Sequence, residues 1–230
     1  MKANIQEIFR SIQGEGQYAG APAVFVRFSG CNLRCGYCDT KQSWRKTGYC
    51  AYQPDSFAGR PVRIPNDIAL PDCAALIRRL APDGLICFTG GEPLLQAEYI
   101  AGVIRLLGAK YTYLLETNGT LPRAPQILPN ARNIVYSIDL KTPAAQFSSF
   151  YQAVPQKAQK YIKIILEKDL DPERLQNVLQ KVYKMHDILY LQPVNNRIDP
   201  AVLKKITAVL EKNKYAYRLI PQIHKFLRLK

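Results

Sequence analysis

Apolar and polar positions along the chain follow two patterns, short apolar runs and longer segments with helical spacing. The short runs favour buried strands and cover residues 23–28, 85–88, 111–116, 133–138, 161–166, 188–192 and 215–220. Apolar residues recur at helical spacing, and so predict amphipathic helices, in residues 71–80, 94–108, 171–184 and 199–212. The last two of these helices start with an N-cap and a first-turn proline, at Asp171-Pro172 and Asp199-Pro200.

Strands that alternate with helices are typical of an α/β fold in which helices cover a parallel sheet. The N-terminal segments "NIQEIF" and "GQYAGAPAVFVRF" predict a strand pair at the opening edge of that sheet. Residues 41–69 have no clear period and carry several prolines, so we expect an insertion there. Because the chain has no linker rich in Gly or Ser and no repeat, we expect a single domain over residues 1–230.

The composition is that of a globular protein, since 47% of the residues are hydrophobic. No apolar run is long enough to span a bilayer, so we expect no membrane association. The N-terminus lacks the unbroken apolar stretch of a signal peptide, and we therefore expect a cytoplasmic protein. In that reducing compartment the six cysteines are expected to be ligands or apolar core residues rather than disulfides.

The chain is strongly basic, with a formal net charge of +14. Such a field suits nucleic acid, and it equally suits small anionic substrates. The basic residues are spread over the chain and form no Lys/Arg block, so the charge does not require a nucleic-acid partner. A non-catalytic or RNA-interacting basic protein stays open as the other class of function at this stage.

The segment "GCNLRCGYCDT" places Cys31, Cys35 and Cys38 in one short loop. Structural zinc usually takes four ligands, whereas this loop has three thiols and the histidines, His186 and His224, are distant in sequence. Thiolates suit iron–sulfur clusters, and three of them would leave one iron of a four-iron cluster open to a small molecule.

With "TGGEPLL" at 89–95, this loop resembles the signature of the radical S-adenosylmethionine (SAM) superfamily. The resemblance implies a 4Fe-4S cluster on the three cysteines, with SAM bound to the open iron and cleaved by one electron. It also implies a partial (β/α) barrel of about six parallel strands with reduced helices. An electron donor such as flavodoxin or ferredoxin would supply the electron.

Further segments narrow the resemblance to the 7-carboxy-7-deazaguanine synthase family. They are "SIQGEG" (11–16), "FVRFSGCNLRCGYCDT" (25–40), "FTGGEPLLQ" (88–96), "ETNGT" (116–120), "LQP" (191–193) and "QIHK" (222–225). Members convert 6-carboxy-5,6,7,8-tetrahydropterin to 7-carboxy-7-deazaguanine with loss of ammonia, on the way to queuosine or archaeosine. The reaction begins with removal of a hydrogen atom from carbon 6 of the pterin.

The resemblance also assigns roles to residues of this chain. Substrate contacts would come from Ile12, Gln13, Gly14, Glu15, Arg27 and Thr89. Arg27 would pair with the pterin carboxylate through its forked guanidinium, and Thr40 would be a Mg²⁺ ligand completed by substrate oxygens and water. Together with Glu15 these two residues form the predicted catalytic set. SAM contacts would come from Tyr37, Cys38, Asp39 and Gly91. Apart from the resemblance, Gln192 lies at the end of a predicted strand and is expected to contact the adenine of SAM.

One segment departs from the family pattern. Many members read Ser-Pro-Lys after the fourth barrel strand, whereas this chain has "SIDLKTP" at 137–143. Ser137, Asp139 and Lys141 resemble the D-x-K element of glycyl-radical activating enzymes and are expected to contact SAM. The alternative function is therefore activation of a partner protein by a radical on its glycine. Weaker candidates for the site are Glu116, Asn118, His224 and Lys225. Cys50, Cys73 and Cys87 are expected to be incidental, and a homodimer is expected from the frequency of two-fold pairing.

Overall fold

The structure is a computed structural model that describes residues 1–55, 60–141, 144–168, 170–184 and 187–229. Its strands are β1 (Lys2–Ala3), β2 (Ile5–Ile12), β3 (Pro22–Phe28), β4 (Tyr49–Tyr52), β5 (Val62–Pro65), β6 (Ile68–Ala69), β7 (Gly84–Gly90), β8 (Tyr111–Thr117), β9 (Ile134–Asp139), β10 (Gln159–Leu166), β11 (Leu189–Pro193) and β12 (Tyr217–Leu219). Its helices are α1 (Leu70–Leu80), α2 (Ala97–Leu107), α3 (Ala144–Ala153), α4 (Pro172–Val182), α5 (Pro200–Lys212) and α6 (Ile223–Phe226).

The main sheet has ten strands in the order β12-β11-β10-β9-β8-β7-β3-β2-β4-β5. From β3 through β7 to β12 every neighbouring pair is parallel. Six of these parallel strands have at least five residues, and β12 has three. The sheet is open, with β12 and β5 at its edges. The predicted partial barrel of about six parallel strands is therefore confirmed.

The helices begin where the capping signals predict. The carboxylate of Asp171 accepts a hydrogen bond from the Glu173 amide at 3.0 Å, and that of Asp199 accepts one from Ala201 at 2.9 Å. Each N-cap satisfies one of the amides that a first helical turn leaves unpaired. No described helix is both long and apolar enough to cross a membrane.

Two apolar layers lie on the two faces of the sheet. Between the sheet and the helices the core contains aromatic pairs such as Phe28–Tyr99 and Phe88–Tyr113, with ring centroids 6.1 Å apart in each pair. The inner face carries a smaller cluster in which Phe9 stacks on Phe25 at 5.1 Å. This inner cluster fills the amino-terminal part of the partial barrel, and the polar side chains lie beyond it.

Residues 41–69 contain more regular structure than their sequence indicates. Strand β4 pairs in parallel with β2, β5 pairs antiparallel with β4, and β6 pairs with β1. Residues 56–59 lie outside the described part of the chain. The predicted N-terminal strand pair is present as β2 and β3, which run antiparallel.

Candidate active site

The inner face of the parallel sheet changes from apolar to polar along each strand. Because side chains alternate between the faces of a strand, residues two positions apart lie on the same face. On this face Phe25 is followed by Arg27, Cys87 by Thr89, Leu114 by Glu116, Tyr161 by Lys163 and Tyr190 by Gln192. The polar members of these pairs meet at the carboxyl ends of the strands, where barrel folds place their sites.

A cavity of about 430 Å³ lies at this end of the sheet. It is lined by all but one of the predicted site residues: Ile12, Gln13, Gly14, Glu15, Arg27, Cys31, Cys35, Tyr37, Cys38, Asp39, Thr40, Thr89, Gly91, Asp139, Lys141 and Gln192. Its volume lies in the range of small-molecule sites. The weaker candidates Glu116, Asn118, His224 and Lys225 line it as well.

The predicted site residue outside this lining is Ser137. It is 1% exposed. It lies on β9 two positions before Asp139, beside Glu116 and Tyr161 in the strand register. Ser137 does not line the cavity, although Glu116 at the same level of the neighbouring strand does, and its contact with SAM stays a prediction.

The cysteine loop forms one wall of the cavity. All three thiols are partly exposed, and burial raises the pKa of the Cys31 thiol above its usual value. The Leu33 amide lies 3.4 Å from the Cys31 sulfur, and Cys38 donates its N–H to the Cys35 carbonyl at 3.2 Å. Within the described residues no group of three or more His, Cys, Asp or Glu side chains encloses a single metal ion. Three thiols are one fewer than the four ligands that structural zinc usually takes, and thiolates also suit iron–sulfur clusters.

The glycines after β7 let two loops pack closely. Gly90 has φ of +121°, which favours glycine, and a Cβ on Gly91 would collide with the carbonyl oxygen of Gly30. Gly91 donates its N–H to Phe28 at 3.0 Å. The loop after β3 and the loop after β7 are therefore packed closely against each other, next to the cysteines.

The adjacent Glu92 is buried behind this turn. Its carboxylate accepts hydrogen bonds from the Thr117 hydroxyl and the Asn118 amide, each at 2.8 Å, and from the Leu94 amide at 3.0 Å. Burial nevertheless raises the pKa of Glu92 to about 7, because these donors offset only part of the lost hydration. The carboxyl group ties the turn to the end of β8, where Asn118 contacts Asn32 of the cysteine loop at 2.9 Å.

The opposite wall is rich in amide and carboxylate groups. Gln13 donates to one oxygen of Glu116 at 3.1 Å, and Thr89 donates to the other at 2.6 Å. The Gln13 side-chain oxygen accepts from the Glu15 amide at 3.0 Å, which fixes the loop after β2. This wall offers both donors and acceptors to a polar ring system.

Arg27 lies between the two walls. Its Nε is 2.7 Å from a carboxylate oxygen of Glu7, and the two side chains are 15% and 12% exposed. The strand register places Glu7 directly opposite Arg27, and the guanidinium carbon lies 5.8 Å from the centre of the Phe9 ring. The sequence did not indicate Glu7, which orients the guanidinium that the sequence did indicate.

A chain of alternating charges crosses the cavity. Lys141 contacts Asp139 at 2.7 Å, Asp139 contacts Lys163 at 2.9 Å, and Lys163 contacts Glu15 at 2.6 Å. Burial works against ionisation of Glu15, but the Lys163 ammonium holds the pKa of that carboxyl well below its usual range. Burial likewise lowers the pKa of Lys163, yet its carboxylate neighbours raise that pKa well above the ordinary value. Glu15 and Lys163 are therefore both charged at neutral pH.

Lys163 and Gln222 are functional candidates that the sequence analysis missed. Gln222 donates to the second oxygen of Glu15 at 2.8 Å. The sequence does contain a signal for Lys163, because this residue interrupts the apolar run "YIKIIL" and a buried lysine requires a charged partner. Gln222 belongs to the segment "QIHK", in which the sequence indicates His224 and Lys225 as candidates.

The C-terminal segment covers the loop after β2. Ile223 donates its N–H to the Gly14 carbonyl at 3.0 Å, and a Cβ on Gly14 would collide with the His224 ring. Lys225 contacts Asp39 at 3.1 Å. The segment thus connects the glycine loop with the cysteine loop. His186 lies outside the described residues.

The remaining cysteines lie in the core. Cys50, Cys73 and Cys87 are fully buried, and none of them lines the cavity. Burial raises the pKa of Cys73 to about 12, which is the behaviour of an unreactive apolar residue.

Comparison with known proteins agrees with this geometry. A family model described as "Radical SAM superfamily" matches residues 25–187. A 7-carboxy-7-deazaguanine synthase of Archaeoglobus fulgidus is 35% identical, with 99% of each chain covered. One of Thermoplasma acidophilum is 31% identical, with 97% of this chain and 96% of the relative covered. The crystal structure of QueE from Escherichia coli is similar in fold, with a TM-score of 0.66 at 22% identity over 95% of this chain and 94% of that one.

The cysteine loop, the open parallel sheet and the near full-length similarity agree with one another, and the chain belongs to the radical SAM superfamily and, within it, to the family of 7-carboxy-7-deazaguanine synthases.

Proposed function

We propose that the protein converts 6-carboxy-5,6,7,8-tetrahydropterin to 7-carboxy-7-deazaguanine with release of ammonia. The observation that carries the proposal is the cavity itself, whose two walls carry different chemistry. One wall holds Cys31, Cys35 and Cys38, and the other holds the donors and acceptors around Gln13 and Glu15. A cofactor and a small polar ring would therefore meet in one cavity.

The residues of the first wall fit a 4Fe-4S cluster and SAM. The three thiols are accessible from the cavity, and the Leu33 amide supplies the kind of hydrogen bond that tunes cluster sulfurs. When bound, the cluster and SAM supply a one-electron cleavage that yields a carbon radical able to take a hydrogen atom from the substrate. The protein residues bind and orient both molecules.

Asp139 offers a specific contact for SAM. It is 8% exposed, and its Oδ1 has no aligned hydrogen-bond donor among the described residues although Lys163 is within ion-pair distance. A buried acceptor of this kind fits a ribose hydroxyl. Lys141, which lies 5.8 Å from the centre of the Tyr37 ring, would pair with the SAM carboxylate. Because Gly91 donates its N–H to Phe28, a methionyl ammonium would use a carbonyl oxygen of this turn.

The second wall supports recognition of the pterin. The pterin edge presents donors and acceptors together, which suits the amide of Gln13 and the ionised carboxylate of Glu15. Arg27 would bind the carboxylate at carbon 6 with the terminal fork of its guanidinium, while Glu7 holds Nε. Ile12 and Gly14 line the same wall, and Thr89 adds a hydroxyl.

Thr40 is the proposed protein ligand of Mg²⁺. Its hydroxyl lines the cavity 3.8 Å from the Cys38 sulfur, at the border between the two walls. A single hydroxyl binds Mg²⁺ weakly, so substrate oxygens and water would complete an octahedron. In that position the ion would fix the substrate beside the cofactor.

The electron would come from an acidic carrier such as flavodoxin or ferredoxin. Arg34, Lys41, Arg45 and Lys46, here called the basic rim, are exposed around the cysteine loop. Arg34 and Lys41 lie 5.2 and 6.0 Å from the Trp44 ring centre, so cations flank an aromatic surface. A basic rim next to the cluster would steer an acidic partner.

Reversing the charge of Arg45 and Lys46 tests this surface. Cluster reduction by flavodoxin should slow by about tenfold at low salt, since steering acts on association rates. Reduction by dithionite should not change. The matched control is Lys204→Glu with Lys205→Glu on the distant surface of α5, where both lysines are also exposed. Equal rates of cluster reduction by flavodoxin in the two double variants would refute a role of the basic rim in binding the carrier.

We further propose that residues 1–230 act as one domain in the cytoplasm, since one continuous core joins the first and last strands and none of the six cysteines, all of them described, forms a disulfide. A homodimer is proposed through Met1, Leu95 and Ile127, which are exposed and line one shallow groove. Sedimentation of Leu95→Asp against the wild type tests the dimer, and unchanged mass would refute this interface.

The proposed function is tested by anaerobic reconstitution. The purified protein with iron, sulfide, Mg²⁺, SAM and dithionite should convert the carboxytetrahydropterin to a product with the mass and chromatographic behaviour of 7-carboxy-7-deazaguanine. A reconstituted protein that cleaves SAM but never makes this product would contradict the proposal.

A further inference from the structure

Lys163 occupies an unusual place for a lysine. It lies within β10, is 2% exposed, and shares its face of the strand with the buried Tyr161 and the cavity residue Ile165. Burying an ammonium costs several kcal/mol unless it is paired. A charge is therefore retained here for its partners, which are Glu15 and Asp139.

These two partners come from opposite sides of the cavity. Asp139 ends β9, the neighbour of β10, whereas Glu15 follows β2. In the sheet, β10 and β2 are separated by β9, β8, β7 and β3. The contact of Lys163 with Glu15 therefore crosses the mouth of the open barrel, since β10 and β2 are not neighbours in the sheet that the described residues form.

The two partners also belong to the two proposed pockets. Asp139 is paired with Lys141 beside Tyr37 of the cysteine loop, on the cofactor side. On the pterin side, the backbone N–H of Glu15 donates to the Gln13 side chain, and the carboxylate of Glu15 accepts from the Gln222 side chain. Lys163 thus contacts both sides at once.

We propose that Lys163 is a positioning residue that fixes Asp139 and Glu15 relative to each other and thereby holds the pterin in line with the bound cofactor. The inference rests on the proposed function but concerns a residue to which the resemblance gives no role. Without the ammonium, Asp139 keeps Lys141, whereas Glu15 keeps the Gln222 amide and the nearby His224. Glu15 would then take up a proton or move, and the pterin would lose its alignment while SAM kept its own contacts.

The test compares Lys163→Met with Lys160→Met in the reconstituted protein. Lys160 is on the same strand, but its ammonium bonds the Tyr151 carbonyl outside the cavity. With SAM and no reductant, Lys163→Met should weaken pterin binding by about 100-fold, as expected when one member of a buried ion pair is removed. Affinity for SAM should stay within about threefold of the wild type, because the contacts of Lys141 and Asp139 remain.

Two further readouts separate positioning from a merely structural role. Binding of pterin by Lys163→Met should weaken further as the pH falls from about 8 to 6, relative to Lys160→Met, because Glu15 loses the charge that keeps it ionised. With dithionite, Lys163→Met should form much more 5′-deoxyadenosine per product than the wild type. Lys163→Arg should restore part of the affinity and remove the extra pH dependence, since it keeps the charge.

A double variant keeps the test valid if Lys163→Met does not fold. Glu15→Gln combined with Lys163→Met removes both charges and so leaves no unpaired buried carboxylate. The fold-loss of pterin affinity in this double variant should equal that of either single variant, rather than the product of the two single losses. Pterin affinity and pH profile equal to those of Lys160→Met would overturn the inference. These binding readouts do not need turnover, so failure of the wild type to form product would count against the proposed function instead.

Discussion

Replacing Arg27 by Ala removes the cation assigned to the pterin carboxylate and tests the substrate wall most sharply. In the structure this guanidinium is already oriented, because Glu7 holds Nε at 2.7 Å and the Phe9 ring lies beneath it. Both charged side chains are at least five-sixths buried, at 15% and 12% exposed, so solvent screens the interaction only in part.

The magnitude follows from the kind of bond that is lost. A hydrogen bond to a charged group contributes about 1.5–3 kcal/mol, which corresponds to about a 10- to 150-fold change in Kd. The upper end is expected for Arg27→Ala, because the change also leaves the Glu7 carboxylate facing the carboxylate of the substrate. Arg27→Lys should recover only part of the affinity, since an ammonium cannot form the fork. Glu7→Gln combined with Arg27→Ala should bind better than Arg27→Ala alone.

The assay is equilibrium binding of the carboxytetrahydropterin under anaerobic conditions, with SAM present and reductant absent. Iron content should equal that of the wild type, and slow SAM cleavage without product should persist once dithionite is added. Equal pterin affinity in the wild type and Arg27→Ala would refute the assignment of the carboxylate to this residue.

Three further predictions address the cofactor, the metal and the buried acid. Alanine at any one of the three loop cysteines should abolish cluster iron and SAM cleavage, whereas Cys50→Ala should keep both, as measured by iron analysis and 5′-deoxyadenosine release. Thr40→Val should turn over slowly and respond little to added Mg²⁺ with normal iron content, while the wild type should slow markedly on chelation; a wild type that needs no divalent ion would leave Thr40 without this role. For Glu92, the folded protein binds the extra proton between about pH 4.5 and 7, so unfolding free energy should fall by up to about 3 kcal/mol as the pH rises through this window. Urea denaturation at both ends of this pH window should show that difference in the wild type and not in Glu92→Gln. An equal pH dependence of the unfolding free energy in the two proteins would refute the prediction.

Local signals in the sequence were sufficient for much of the fold. The caps at Asp171 and Asp199 are set by neighbouring residues, and both helices begin where these pairs predict. The helix α3 was missed, because its sequence "AAQFSSFYQA" gives a weak amphipathic pattern. The strands β4 and β5 were missed because they have only four residues each and are stabilised by pairing at the edge of β2.

Site residues that belong to a continuous sequence motif were predictable. Residues whose role depends on their depth in the folded sheet or on distant partners were less so. Ser137 and Asp139 lie on the same face of one strand, and the strand pattern alone does not show that Asp139 lines the cavity whereas Ser137 is buried outside its lining. Glu7 and Lys163 acquire their roles from partners far away in sequence, 20 residues for Glu7 with Arg27 and 148 for Lys163 with Glu15. Pattern alone does not contain such pairings, whereas the folded sheet makes them evident.

The central claim is that this cavity brings the radical source to carbon 6 of a carboxytetrahydropterin. Substrate carrying deuterium at carbon 6 tests it most directly, by mass spectrometry of the 5′-deoxyadenosine formed in a complete anaerobic reaction. This nucleoside should gain one deuterium atom, and 7-carboxy-7-deazaguanine should appear alongside it. Formation of the nucleoside without deuterium, at the same rate with and without the pterin, would contradict the account.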